Sequence, residues 1–150
     1  MTGFLLDVNV LLALLWPAHT HHESALRWFA RHARQGWATC PITQAGFVRI
    51  VSNPGFSPDA PTVQHAIAVL RESQSHPGHQ FWPDELELAD AVQPFEGRLH
   101  GHQNLTDAYL LGLAAHRGGK LATFDRGLAA LLPPGGAVRD QVELLRHDPS

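Results

Sequence analysis

Cysteine is almost missing from this chain: Cys40 stands alone, which excludes an internal disulfide and a cysteine zinc cage and is consistent with a reducing compartment. No run approaches the roughly 20 apolar residues of a membrane span. The longest, Val10 to Trp16, follows Asp7 and Asn9 rather than the basic segment that opens a secretory signal. A cytoplasmic protein without a membrane partner is expected. An excess of positive charge is absent as well, since 11 Lys and Arg face 14 Asp and Glu for a net charge of −3. That balance argues against the broad basic surface of non-specific DNA binders, so any contact with nucleic acid must be local. Repeats, low-complexity tracts and a dividing linker are missing too. A single domain spanning 1–150 is expected, burying about 70% of the unfolded chain's surface.

What is present is an alternation of apolar segments. Phe4 to Leu6 reads as a buried strand, Asp7 to Asn9 as a polar corner, and the run after it as a helix ending before Pro17. The spacing predicts a helix over Glu23 to Arg34 with Ala25, Leu26, Phe29 and Ala33 on one face. A strand at Trp37 to Cys40 and a helix from Pro41 or Thr43 to Val51 follow. Another helix begins near Pro61 with Val63, Ile67 and Leu70 turned inward. His79 to Trp82 reads as a strand, DELELAD as a helix and Gly97 to Gln103 as a polar loop, while NLTDAYLLGLAAH is clearly amphipathic. A strand at Lys120 to Phe124, a short helix to Leu132, a loop at PPGG and an edge strand at Val142 to Leu145 complete the reading. Strands alternating with helices imply crossover connections and a mainly parallel sheet covered on both faces. Ligands of such sheets gather at the carboxyl ends of the strands.

Asp7 and Asp125 both stand at predicted strand ends, and Asp107 in the first turn of the helix before the last buried strand. Singly, each fits a helix cap or a favourable first-turn charge. Jointly, three carboxylates in one crevice repel unless a cation neutralises them, and oxygen-only ligands suit magnesium or manganese better than zinc. Such ions assist phosphodiester hydrolysis without a covalent enzyme intermediate. A phosphatase using Asp7 as nucleophile is disfavoured, because DVNVL has no second aspartate two residues later.

The segments LLDVNVLLALL, ITQAGFVRIVSNP, LTDAYLLGLAA and LATFDRGL, in that order, resemble the blocks of PIN domains of the VapC toxin family. The resemblance runs from Phe4 to about Leu145. It implies a three-layer α/β/α fold around about five short strands and an endoribonuclease dependent on magnesium or manganese. It also implies a VapB-type antitoxin partner and a homodimer with two acidic sites along a shared groove. By this match Asp7, Asp107 and Asp125 take the family's first, third and fourth acidic positions, and Asn9 and Thr123 match flanking polar residues. Gln44 stands where a second acidic residue is common; being neutral, it is assigned a supporting role. That departure keeps a second reading open, a non-catalytic relative that binds RNA or protein.

Arg126, next to Asp125, is the candidate for holding the RNA backbone or an antitoxin carboxylate. His100 and His102, just before the Asp107 helix, are candidates for touching RNA. His19, His21 and His22 read as a solvated turn, and Arg27, Arg31 and Arg34 as a solvated helix stripe. The four tryptophans read as core or interface groups, and Cys40 as a packed small apolar residue.

Overall fold

In the computed structural model, which describes residues 3–133 and 138–146, the strands are β1 (Phe4–Leu6), β2 (Trp37–Thr39), β3 (His79–Phe81), β4 (Lys120–Thr123) and β5 (Val142–Leu144). The helices are α1 (Val8–Leu15), α2 (His22–His32), α3 (Pro41–Val51), α4 (Val63–Gln74), α5 (Leu88–Val92), α6 (Leu105–His116) and α7 (Val138–Gln141). All strand pairs are parallel, in the order β3-β2-β1-β4-β5. The central strand β1 is buried on both faces and reads as an unbroken apolar run, and its neighbour β4 is buried from Leu121 to Thr123.

Side chains alternate across β1 and divide the core in two. Phe4 and Leu6 join Val10, Leu11, Trp28, Phe47, Val51, Ala66 and Leu70, contributed by α1 to α4. Leu5 faces the other way, with Leu121, Ala91, Val92, Phe95, Leu110 and Leu113 from β4, α5, α6 and the 3-10 segment Gln93–Arg98. The result is the expected three-layer arrangement, with a wholly parallel sheet.

The helices differ from expectation mainly in which face they turn inward. On α4 it is Ala66 and Leu70 that are buried, while Val63 and Ile67 are 47% and 39% exposed. At 3.6 residues per turn the second pair lies about 60° round the helix from the first, on the rim of the contact with α3. On α2, Trp28 is buried and Leu26 is exposed. The Trp28 indole reaches across to donate to Glu143 Oε2 on β5 at 3.0 Å, securing the edge strand. In DELELAD only Leu88 onward is helical; Glu85 is paired with Arg117 at 2.6 Å instead. The short helix expected after Asp125 is a 3-10 segment, Arg126–Leu131. Cys40 is buried as the N-cap of α3. The PPGG loop lies largely outside the described residues.

Gly112 lets α6 lie directly against α5, for a β-carbon there would overlap the Ala91 carbonyl oxygen. Neither partner is a flexible side-chain tip, so the backbones themselves would have to separate. Gly112→Ala is expected to lower unfolding stability by at least ~2 kcal/mol, as overpacking of a tight contact does. Urea titration measures it, and an unchanged midpoint would mean the two helices approach less closely.

Candidate active site

The β1–β4 register decides which groups meet at the carboxyl edge of the sheet. Leu6 pairs with Ala122, and the Asp7 amide donates to the Ala122 carbonyl at 3.0 Å. Asp7 is thereby set beside Thr123. The Thr123 hydroxyl, fully buried, donates to Asp7 Oδ2 at 2.9 Å and accepts the Asp125 amide at 3.0 Å. One hydroxyl therefore joins the first and last acidic residues. Asp125 also caps the 3-10 segment after it, its Oδ1 accepting the Gly127 amide at 2.8 Å. Asp7, by contrast, makes no side-chain capping bond to α1. Only 7% exposed, it has one oxygen committed to Thr123, and simple helix capping does not account for it.

Asp107 completes the group from the first turn of α6. Its carboxyl is pushed up to about 6, first by burial and then by the charges of Asp7 and Asp125. Burial is also the largest influence raising Asp7. The Thr123 hydrogen bond and the Val8 amide oppose it, and the Asp125 charge adds to it. Three carboxylates thus share one electrostatic site. Among the described residues no three His, Cys, Asp or Glu side chains stand close enough together to hold a metal ion as placed, Asp7, Asp107 and Asp125 included.

A family model for the PIN domain matches residues 4–131, and Ribonuclease VapC39 of Mycobacterium tuberculosis is 48% identical over 125 residues, covering 83% of this chain and 90% of that protein. The chain belongs to the PIN-domain family of VapC ribonucleases. Ribonuclease VapC38 of the same organism is 45% identical over 127 residues, covering 85% of this chain and 88% of that protein. Solved structures share the PIN fold. VapBC2 from Rickettsia felis, solved bound to a DNA fragment from its promoter, has a TM-score of 0.66 at 12% identity, covering 97% of this chain and all of that one. FitAcB from Neisseria gonorrhoeae has a TM-score of 0.59 at 20% identity, covering 93% and 95%.

Around the acidic centre of this PIN domain, Asn9 is exposed on the first turn of α1, Arg126 is exposed beside Asp125, and His100 and His102 are exposed ahead of α6. Thr123 matches the polar residue that flanks the last acidic position. It is completely buried, and its hydroxyl serves the two aspartates, donating to Asp7 and accepting the Asp125 amide. Gln44 makes no hydrogen bond to the three carboxylates. Its Nε2 donates to Thr39 Oγ1 at 2.9 Å, and Thr39 in turn meets His79 Nε2 at 2.8 Å. Where α3 crosses the Asp7 corner the residue is Gly46, whose β-carbon would come within 2.8 Å of Val8 Cγ2.

The histidine turn is less solvated than its composition suggests. His22 Nδ1 lies 2.7 Å from the Ala13 carbonyl, and the His21 ring packs on Phe124, the neighbour of Asp125, at 5.2 Å. Nothing in the local spacing of HTHHE signals that contact.

The Asp107 shift has a sign that can be checked. A carboxyl with a folded pKa above its unfolded value contributes stability that is whole below about pH 4 and lost as pH rises through about 6. In metal-free buffer Asp107→Asn should raise stability at pH 7.5 by about 1 kcal/mol, a figure reduced for the side chain's partial access to water. The gain should shrink as pH falls through 6 towards 4. Thermal unfolding across that range tests it, and a gain independent of pH would show that charge repulsion is not its cause.

Proposed function

We propose that this VapC-family chain is a metal-dependent endoribonuclease toxin that hydrolyses RNA phosphodiester bonds and is neutralised by a VapB-type antitoxin. The observation that carries the reading is the coupling of Asp7, Asp107 and Asp125 in one site, from segments far apart in sequence. The donor set fits magnesium or manganese, because only carboxylate oxygens are offered and their repulsion is relieved by a cation. When bound, such an ion activates water and offsets the charge that grows on the phosphate.

The remaining work falls to the chain. Thr123 fixes the orientation of Asp7 by holding Oδ2. Asp125 has Oδ1 on the Gly127 amide and keeps Oδ2 for the ion. Arg126, Asn9 and His102, exposed around this centre, hold the RNA backbone across it. Water attacks phosphorus, the ester bond breaks, and the departing oxygen takes up a proton. Gln44, tied to Thr39, supports the site only by fixing the start of α3 against β2.

Family membership also carries the expectation of an antitoxin partner and of a homodimer, and the exposed apolar side chains Val63 and Ile67 on α4 are consistent with a protein partner. Among the described residues no helix is long and apolar enough to cross a membrane; cytoplasmic location is part of the proposal.

Asp7→Asn and Asp125→Asn, which keep side-chain shape while removing charge, should each reduce manganese-dependent RNA cleavage by more than about 100-fold. That exceeds the ~10–100-fold typical of losing an outer-shell partner. Circular dichroism should remain that of the parent. Cleavage by both variants at the parental rate would contradict an enzymatic role, and RNA binding without cleavage by the parent would favour the non-catalytic reading.

A further inference from the structure

Immediately ahead of Asp107, the backbone from His100 to Asn104 folds round a recess of about 390 Å³, lined by His100, Gly101, His102, Gln103 and Asn104. Its size lies within the ~300–1,000 Å³ of small-ligand clefts. The lining is more polar than apolar, four of its five residues carrying polar side chains. The groove between α3 and α4, lined by Ala45, Val48, Val63, Ile67 and Leu70 among others, is by contrast largely apolar. The hydrogen-bonding groups of the recess are also uncommitted. Asn104 occupies the N-cap of α6, where such a residue ordinarily accepts a bond from the first-turn amides, yet its side chain makes no capping bond. No hydrogen bond within the described residues engages the side chains of His100, His102 or Gln103 either.

Two carboxamides supply both donors and acceptors, and two imidazoles supply ring faces and further polar edges. That combination matches what sequence-selective RNA recognition requires, namely hydrogen bonds to the edge of an unstacked base and a planar group against its face. Position adds to the match. Asn104 and Asp107 are one helical turn apart, a spacing that puts Cβ atoms about 5–6 Å from each other, so an occupant of the recess is a close neighbour of a phosphate at the acidic site.

We infer that the 100–104 recess is a base-reading subsite: it takes one unpaired nucleobase of the RNA, adjacent to the phosphodiester being cut, with Gln103 and Asn104 reading its edge. The inference rests on the ribonuclease reading above and adds a specificity element to it. An unpaired base is required because a base within a helix offers neither its face nor its pairing edge. Single-stranded segments are therefore the substrate, with the preference set at one nucleotide position.

The test uses a single-stranded RNA pool randomised around its centre, digested by the full chain in manganese, with the new ends sequenced. The parent should show a preference for one base, or for bases sharing an edge pattern, at a fixed position beside the cut. Asn104→Ala and Gln103→Ala should each weaken that preference by roughly 5- to 10-fold, the effect of one lost hydrogen bond, with the double variant close to indifferent. Manganese binding by these variants, followed calorimetrically, should match the parent, which separates loss of reading from damage to Asp107. A parental preference that survives in the double variant overturns the subsite and leaves the ribonuclease reading standing, as does cleavage by the parent with no base preference. If the parent cuts none of the pool, the ribonuclease reading fails and the subsite falls with it.

Discussion

Parallel pairing of β1 with β4 brings Asp7 alongside Thr123, and the Thr123 hydroxyl bonds to Asp7 on one side and to the Asp125 backbone on the other. The contact is small, two hydrogen bonds to one oxygen in a place sealed from water. Such bonds are worth more in a buried site than at a surface, because breaking one leaves a buried polar group unmatched. A slip of the β1–β4 register by one residue would turn Asp7 to the opposite face of the sheet and sever the link. The strands Phe4 to Leu6 and Lys120 to Thr123 therefore do more than fill the core. They hold the first and last acidic residues in place.

Asp107 introduces the opposing force. Lodged on α6 near the other two, it is driven towards its neutral form by burial and by their charge. A site that only had to be stable would not gather carboxylates in this way, since like charges close together destabilise the folded chain without a counter-charge. The cost is local, and the packing that carries it is extensive: α6 is buried along most of its length and meets α5 at Gly112 with no side chain between. Stability invested in the second core holds Asp107 against repulsion, and on the metal-dependent reading proposed above a cation would convert that repulsion into affinity.

The sheet and its helices were largely legible because strands buried on both faces and helices ended by Pro17, Gly36 and Gly118 leave patterns that local sequence carries. The Asp7, Asp107 and Asp125 group was legible for a related reason, since strand ends of parallel sheets converge. What could not be read depends on contacts between distant segments. Val63 and Ile67 look inward by spacing, but which stripe of an apolar helix is covered depends on where α3 lies. Thr123 looks like a flanking polar residue, but only the register shows that its hydroxyl joins Asp7 to the Asp125 backbone. Gln44 lies in the right block, yet its amide is drawn to Thr39, at the end of β2. The uncommitted amide of Asn104 was likewise invisible, because the sequence marks a potential cap and not whether it caps.

The central claim, that three carboxylates distant in sequence jointly hold one hard cation, is tested most directly by diffraction at the manganese absorption edge from crystals grown with manganese chloride. The account predicts an anomalous peak enclosed by the carboxyl groups of Asp7, Asp107 and Asp125. No peak at that position, or peaks only elsewhere on the surface, would contradict it.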